Sequence, residues 1–230
     1  MVQGLPSADL EVVGGFGSSN ALSELARLAA QADVLVDFTT GQAAPALLLA
    51  AADHGLRVVS GTTGLPPSAL DELEAALRQK QLGGVWAANF ATGAVLMMHF
   101  ARVAARFMDA AEVIELHHDR KVDAPSGTAV QTARSIREAH GGDLPDPQVE
   151  KWTLPEARGA VDGGVRIHSV RLPGLNAHQE VLFGSRGQIL SVRHDALNRD
   201  AYIPGVALAI THALKTVGLT RGLDALMGLT

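Results

Sequence analysis

The chain of 230 residues contains no cysteine, which removes disulfides, thiolate metal sites and a cysteine nucleophile together and fits a cytoplasmic setting. Positive charge is also short. Lys and Arg number 19 against 24 Asp and Glu, and the net charge of -5 supplies no bulk field for nucleic acid or an anionic membrane. An anionic ligand must therefore be caught locally. Long apolar runs are missing too: Leu10 to Gly15 is short and lacks a signal peptide's basic flank, and no run approaches the ~20 residues of a membrane-spanning helix. What is present, 47% hydrophobic and 19% charged residues, suits one large or two small globular domains with a sizeable core.

From Leu10 to Trp86, short apolar runs alternate with helical patterns, which implies parallel pairing in a doubly wound α/β sheet. The predicted strands are Leu10–Val13, Val34–Phe38, Arg57–Ser60 and Gly84–Trp86, and a helix candidate covers Ala21 to Ala30. Further helices are expected near Pro45 to His54 and Ser68 to Lys80. In the latter, Leu70, Leu73 and Leu77 share a face, and Ser68 with Asp71 resembles a capping box. The texture then changes. An apolar helix (Val95 to Met108), a strand (Glu112 to His117), a helix (near Ser126 to His140) and a Gly-, Asp- and Pro-rich loop at 141–147 precede a mostly stranded remainder. Val165–Arg171, Glu180–Gly184 and Gln188–His194, broken by turns such as Gly184-Ser185-Arg186-Gly187, read as an antiparallel meander in a second, α+β domain. A last helix, about Pro204 to Val217, has an apolar face that can return to the first sheet.

Titratable groups concentrate between Glu115 and Ala129, where a strand ends and a helix opens. The backbone N–H groups of Ser126, Gly127 and Thr128 would point at an anion, aided by the positive end of the helix dipole, and Gly127 admits a carboxylate close to the backbone. Lys121 adds a full charge, and His117 and His118 titrate near neutrality and can donate a proton. Any one of these residues alone more often marks an ordinary solvated loop; the combined spacing points to carboxylate capture with acid catalysis. No metal site is expected, because adjacent strand residues face opposite ways and His117 and His118 could not share an ion.

The run His117 to Ala129, His-His-Asp-Arg-Lys-Val-Asp-Ala-Pro-Ser-Gly-Thr-Ala, closely resembles the signature of the 4-hydroxy-tetrahydrodipicolinate reductases of lysine and diaminopimelate synthesis. Further pieces match in order: Val36-Asp37-Phe38-Thr39, Gly61-Thr62-Thr63-Gly64, Ala88-Asn89-Phe90, Arg193-His194, and Asn198 to Tyr202 with Pro204-Gly205. The resemblance implies a Rossmann-type cofactor domain (1–90 plus 200–230) and a substrate-binding domain (91–199) whose sheet builds a homotetramer. It also implies an NAD(P)H-dependent oxidoreductase in which NADPH or NADH reduces a small cyclic dicarboxylate. His117 is then the proton donor and Lys121 a second catalytic cation; His118, Gly127 and Thr128 hold the substrate carboxylates. Gly61, Thr62 and Thr63, with Ala87, Ala88, Asn89 and Phe90, contact the nicotinamide end of the cofactor. Arg199 approaches the site, although the usual Ser-Arg pair and downstream Phe are here Asn198-Arg199 and Tyr202.

Relative to that pattern, the first strand and its Gly-rich turn are not found ahead of Met1, and Met1 to Leu5 reads as the tail of the helix that follows them. Gly15-Phe16-Gly17-Ser18-Ser19-Asn20 nearly fits G-x-G-x-x-G but ends in Asn20, so it is read as a second-strand loop near the adenosine ribose, where Ser18 and Ser19 can meet a 2′-phosphate. An exposed sheet edge and low stability are the physical expectation. The competing functional expectations are a non-catalytic dicarboxylate-binding protein that has lost nicotinamide binding and, less strongly, a lyase or cyclase using His117 and Lys121 without cofactor.

Overall fold

The computed structural model describes residues 10–17 and 20–229. The expectations for Met1 to Leu5, Ser18 and Ser19 lie outside the described residues. The chain forms two compact units, one running up to Thr92 and resuming at Arg199, the other spanning Gly93–Asn198.

In the first unit, β1 (Val34–Asp37), β2 (Arg57–Ser60), β3 (Gly83–Trp86) and β9 (Gly218–Arg221) make a four-stranded sheet in that order, parallel throughout. Helices cover both of its faces. Against one lie α1 (Ala21–Leu28), α2 (Ala44–Asp53) and α3 (Pro67–Gln79), whose Leu25, Leu47, Leu48, Leu73 and Leu77 join Leu35 and Val58 in one cluster. Val59 follows Val58 and so faces the other way, yet it is equally buried; α6 (Ile203–Ala213) packs on β2 and β3 with Val206, Ala209 and Ile210 buried. Buried side chains of this size stabilise by about 1.5–3 kcal/mol each, which accounts for the strands reading as continuous apolar runs.

Three details differ from expectation. Leu10–Val13 forms no strand: among the described residues no neighbouring backbone pairs with it, Val12 and Val13 stay exposed, and β-branched residues without a ladder partner have nothing to hold them extended. The capping box at Ser68 and Asp71 does not form, because α3 starts at Pro67, whose fixed φ suits a first helical position; Asp71 pairs with Arg221 at 2.6 Å instead. Finally, β9 and the short α7 (Leu223–Leu226) extend the first unit beyond the last helix anticipated.

The second unit is a five-stranded mixed sheet in the order β5 (Ala160–Asp162), β6 (Val165–Arg171), β4 (Ala110–His117), β7 (Ala177–Ser185), β8 (Gln188–Ala196). It is not a plain antiparallel meander. The helix α5 (Gly127–His140) carries the chain across the sheet between β4 and β6, so that pair is parallel, with His117 in register with Arg171, while β7 runs antiparallel on the other side of β4. The β7–β8 hairpin turns at Arg186-Gly187 as the sequence predicts. Residues of α4 (Thr92–Ala104) and α5 cover one face through Ala101, Ala133, Ile136, Val113, Val181 and Phe183. Helix α5 is defined at both ends: the Ser126 hydroxyl accepts from the Ala129 N–H, and Gly141 takes the left-handed conformation at φ 90° that a side chain would strain. No helix among the described residues is long and apolar enough to cross a membrane.

Candidate active site

In the second unit the chemistry gathers where β4 ends and α5 begins. Glu115 and His117 are two apart on one strand and so share the helix-covered face. Glu115 is fully buried, and each oxygen takes two donors: Oε1 accepts from Arg171 Nη2 (2.8 Å) and the Ser126 N–H (3.2 Å), and Oε2 from Arg171 Nη1 (2.8 Å) and His117 Nδ1 (2.5 Å). Burial raises the carboxyl's proton affinity, but the bonds from His117 and Arg171 outweigh it and hold the pKa at about 2. The same carboxylate therefore brings the imidazole and the mouth of α5 together.

At that mouth the amide accounting differs from expectation in one place. The Ser126 N–H is not available to a ligand, since Glu115 takes it, and Ala129 is bonded to the Ser126 hydroxyl. Among the described residues, the N–H groups of Gly127 and Thr128 have no partner, as the geometry of a first helical turn requires. Space is open there: a Cβ at Gly127 would meet nothing. His118, half-buried, has a buried Nδ1 without a hydrogen bond. Lys121 donates to Asp123 at 2.6 Å, and that bond lowers the Asp123 pKa. The Asp123 carbonyl in turn accepts from Arg171 Nη2 at 2.7 Å, so one guanidinium ties the Lys121 loop to Glu115; its bond to Glu115 raises the Arg171 pKa further.

In the first unit the residues expected to meet nicotinamide lie beyond the carboxyl ends of β2 and β3, where ligands of open parallel sheets bind. A buried carboxylate organises them. Asp37 Oδ2 accepts from Ser60 Oγ (2.7 Å) and Thr62 Oγ1 (2.8 Å), while Oδ1 accepts from the Thr39 N–H (2.9 Å) and hydroxyl (2.6 Å). Gly61 is glycine because Phe38 packs over it, and a Cβ there would strike the ring. Thr62, Ala87 and Phe90 are buried as whole residues and line the loops from within; Thr63 and Ala88 are exposed, and Asn89 caps the turn into α4 by accepting from the Ala91 N–H at 2.9 Å. Small residues and a loop held from beneath are what these two strand ends present.

Reasoning from sequence did not single out Arg171, which carries no local motif, or the buried roles of Glu115 and Asp37. The available signal was a carboxylate inside each of two apolar strand runs, since such a group is rarely buried unpaired. Among the described residues, no group of three or more His, Asp or Glu is placed to hold a metal ion.

A doubly wound parallel sheet with open loops at its strand ends, joined in one chain to a mixed-sheet unit bearing a carboxylate-held histidine at a helix mouth, defines an oxidoreductase of the dinucleotide-binding class. Residues 7–90 match the family model "Dihydrodipicolinate reductase, N-terminus" and residues 93–226 its "C-terminus" counterpart. The chain belongs to the dihydrodipicolinate reductase family. It is 49% identical over 218 residues to the 4-hydroxy-tetrahydrodipicolinate reductase of Dehalococcoides mccartyi (strain CBDB1), covering 94% of this chain and 82% of that protein. Against the same enzyme of Streptococcus gordonii it is 48% identical over 222 residues, covering 96% and 86%. The solved dihydrodipicolinate reductase of Paenisporosarcina sp. TG-14, bound to dipicolinate, superposes with a TM-score of 0.85 at 37% identity, covering 97% of this chain and 92% of that one.

Proposed function

We propose that the chain reduces 4-hydroxy-tetrahydrodipicolinate to tetrahydrodipicolinate in lysine and diaminopimelate synthesis, using NADPH or NADH. The observation that carries this reading is that one buried carboxylate, Glu115, holds both the His117 imidazole and the Ser126 N–H that precedes the open amides of Gly127 and Thr128. A ring bearing two carboxylates needs backbone donors and cations to leave water, and that corner offers both. Gly127 and Thr128 bind one carboxylate, with His118 and Lys121 supplying donors for the substrate's charge. His117 acts as general acid from Nε2, the ring nitrogen not engaged by Glu115.

The nicotinamide, when bound, supplies the hydride that adds to the substrate ring. On the protein side, the segments Gly61, Thr62, Thr63 and Ala87, Ala88, Asn89, Phe90 would hold its ring, with the Asp37 hydrogen bonds fixing the first of them. The dipicolinate bound to the Paenisporosarcina relative is itself a flat ring with two carboxylates, which supports the substrate class.

The same reading includes a homotetramer built on the second sheet. One face of that sheet is covered by α4 and α5; the other carries Glu112 with His168, Glu180 with Arg193 and His178 with Asp195 among half-buried Ile114, Leu116 and Leu182, and Ile189 is 79% exposed. Copies of the chain are the natural cover for such a face.

The test is direct: purified protein mixed with NADPH and enzymatically generated substrate should oxidise the nucleotide, and His117→Ala should abolish this while still binding dipicolinate. Dipicolinate binding without any nucleotide binding or oxidation would defeat the reading.

A further inference from the structure

We propose that Glu115 is a positioning residue for proton transfer: it fixes His117 as the Nδ1–H form, so that Nε2 alone takes up and delivers the proton. This rests on the reading of His117 as the acid. A carboxylate is an acceptor only, and Arg171 keeps this one charged with a two-pronged grip, so in the 2.5 Å contact the hydrogen must sit on Nδ1. The carboxylate cannot turn away. Its remaining acceptor positions are taken by Arg171 and the Ser126 N–H, and with the side chain 0% exposed no water competes for them. A pKa of about 2 keeps Glu115 ionised across the working range, so it orients the imidazole without taking its proton.

The step balances. The 4-hydroxyl group leaves the substrate ring as water, giving a conjugated cyclic imine; hydride addition to it leaves an electron pair on the ring, and that pair forms the new bond to hydrogen as the Nε2–H bond of the imidazolium breaks. The product histidine is neutral, with Nδ1–H still on Glu115, and water returns a proton to Nε2. Because Oε1 of the same carboxylate holds the Ser126 N–H at the start of α5, the acid and the amides of Gly127 and Thr128 are set by one rigid group.

Ring-nitrogen NMR of the wild-type protein with 15N-labelled histidine, assigned with His117→Gln, tests the tautomer without any variant of Glu115. At a pH where His117 is neutral, Nδ1 should carry the hydrogen; a hydrogen on Nε2 would overturn the proposal. Kinetics supply the second arm. Glu115→Gln, whose amide oxygen can still accept from the Ser126 N–H, should lower kcat by about 10²-fold with KM nearly unchanged, and in a His117→Gln background it should cause no further loss of kcat. A loss of equal size in that background would mean Glu115 acts elsewhere and would also overturn it. If His117→Gln itself leaves kcat intact, the acid assignment falls first, and the failure is then of the underlying reading.

Discussion

The indole N–H of Trp86, at the end of β3, donates to the carbonyl of Thr62 at 2.8 Å, while the Thr62 hydroxyl donates to Asp37 at the end of β1. Three strand ends are thereby tied to one loop. Asp37→Ala would leave the Ser60, Thr62 and Thr39 donors without their buried acceptor. A cost of about 3 kcal/mol is expected from denaturant unfolding, with the KM for NADPH raised about tenfold, that is ~1.4 kcal/mol of binding.

Acid should weaken the fold through Glu115. Its carboxyl sits at about 2 in the folded protein against 4.5 unperturbed. A depressed folded value contributes stability that is complete above the unfolded pKa and is lost as pH falls toward the folded one. The contribution is about 3 kcal/mol, lost between pH 4.5 and about 2. Unfolding free energies measured across that range should fall steeply for the wild type and less so for Glu115→Gln.

Substitution at the mouth of α5 should separate binding from folding. Gly127 has ordinary helical backbone and open space where a Cβ would go. Gly127→Val should therefore keep stability within about 1 kcal/mol while raising the dissociation constant for dipicolinate more than about tenfold, about 1.4 kcal/mol. Calorimetric titration reads the second quantity and thermal unfolding the first.

Lys121→Met removes a cation whose partner, Asp123, is half exposed, so the ion pair itself holds little of the fold. The melting temperature should barely move, whereas kcat/KM should fall by about 10²-fold, as expected for a lost charge-assisted contact. Retention of full kcat/KM would remove Lys121 from the site.

On the uncovered sheet face, Ile189→Asp should lower the assembly state seen by sedimentation velocity without unfolding the protomer, because this side chain is already 79% exposed. A monomeric wild type would end the tetramer proposal.

What the sequence disclosed follows physical locality. His117, His118 and the Ser126 to Thr128 turn lie within one strand-to-helix junction, so spacing alone placed them together. Arg171 stands 56 residues from Glu115, and only the parallel β4–β6 pairing brings them into contact, which no local pattern encodes. The parallel strands were readable as apolar runs because both sheet faces are covered. Leu10–Val13 carries the same signature but has no ladder partner among the described residues, and strand propensity does not act without one. Asp37 was visible as part of a motif, yet its four hydrogen bonds depend on two loops meeting, which is a tertiary event.

The pairing of β4 with both neighbours also acts as a ruler. Alternate strand residues point to opposite sides, so one residue inserted into β4 ahead of Glu115 would turn Glu115 and His117 away from Arg171 and α5 together. Changes of chain length should thus be intolerable between residues 110 and 115 yet tolerable in the surface loop at 147–157, a contrast that a deletion and insertion scan would display directly.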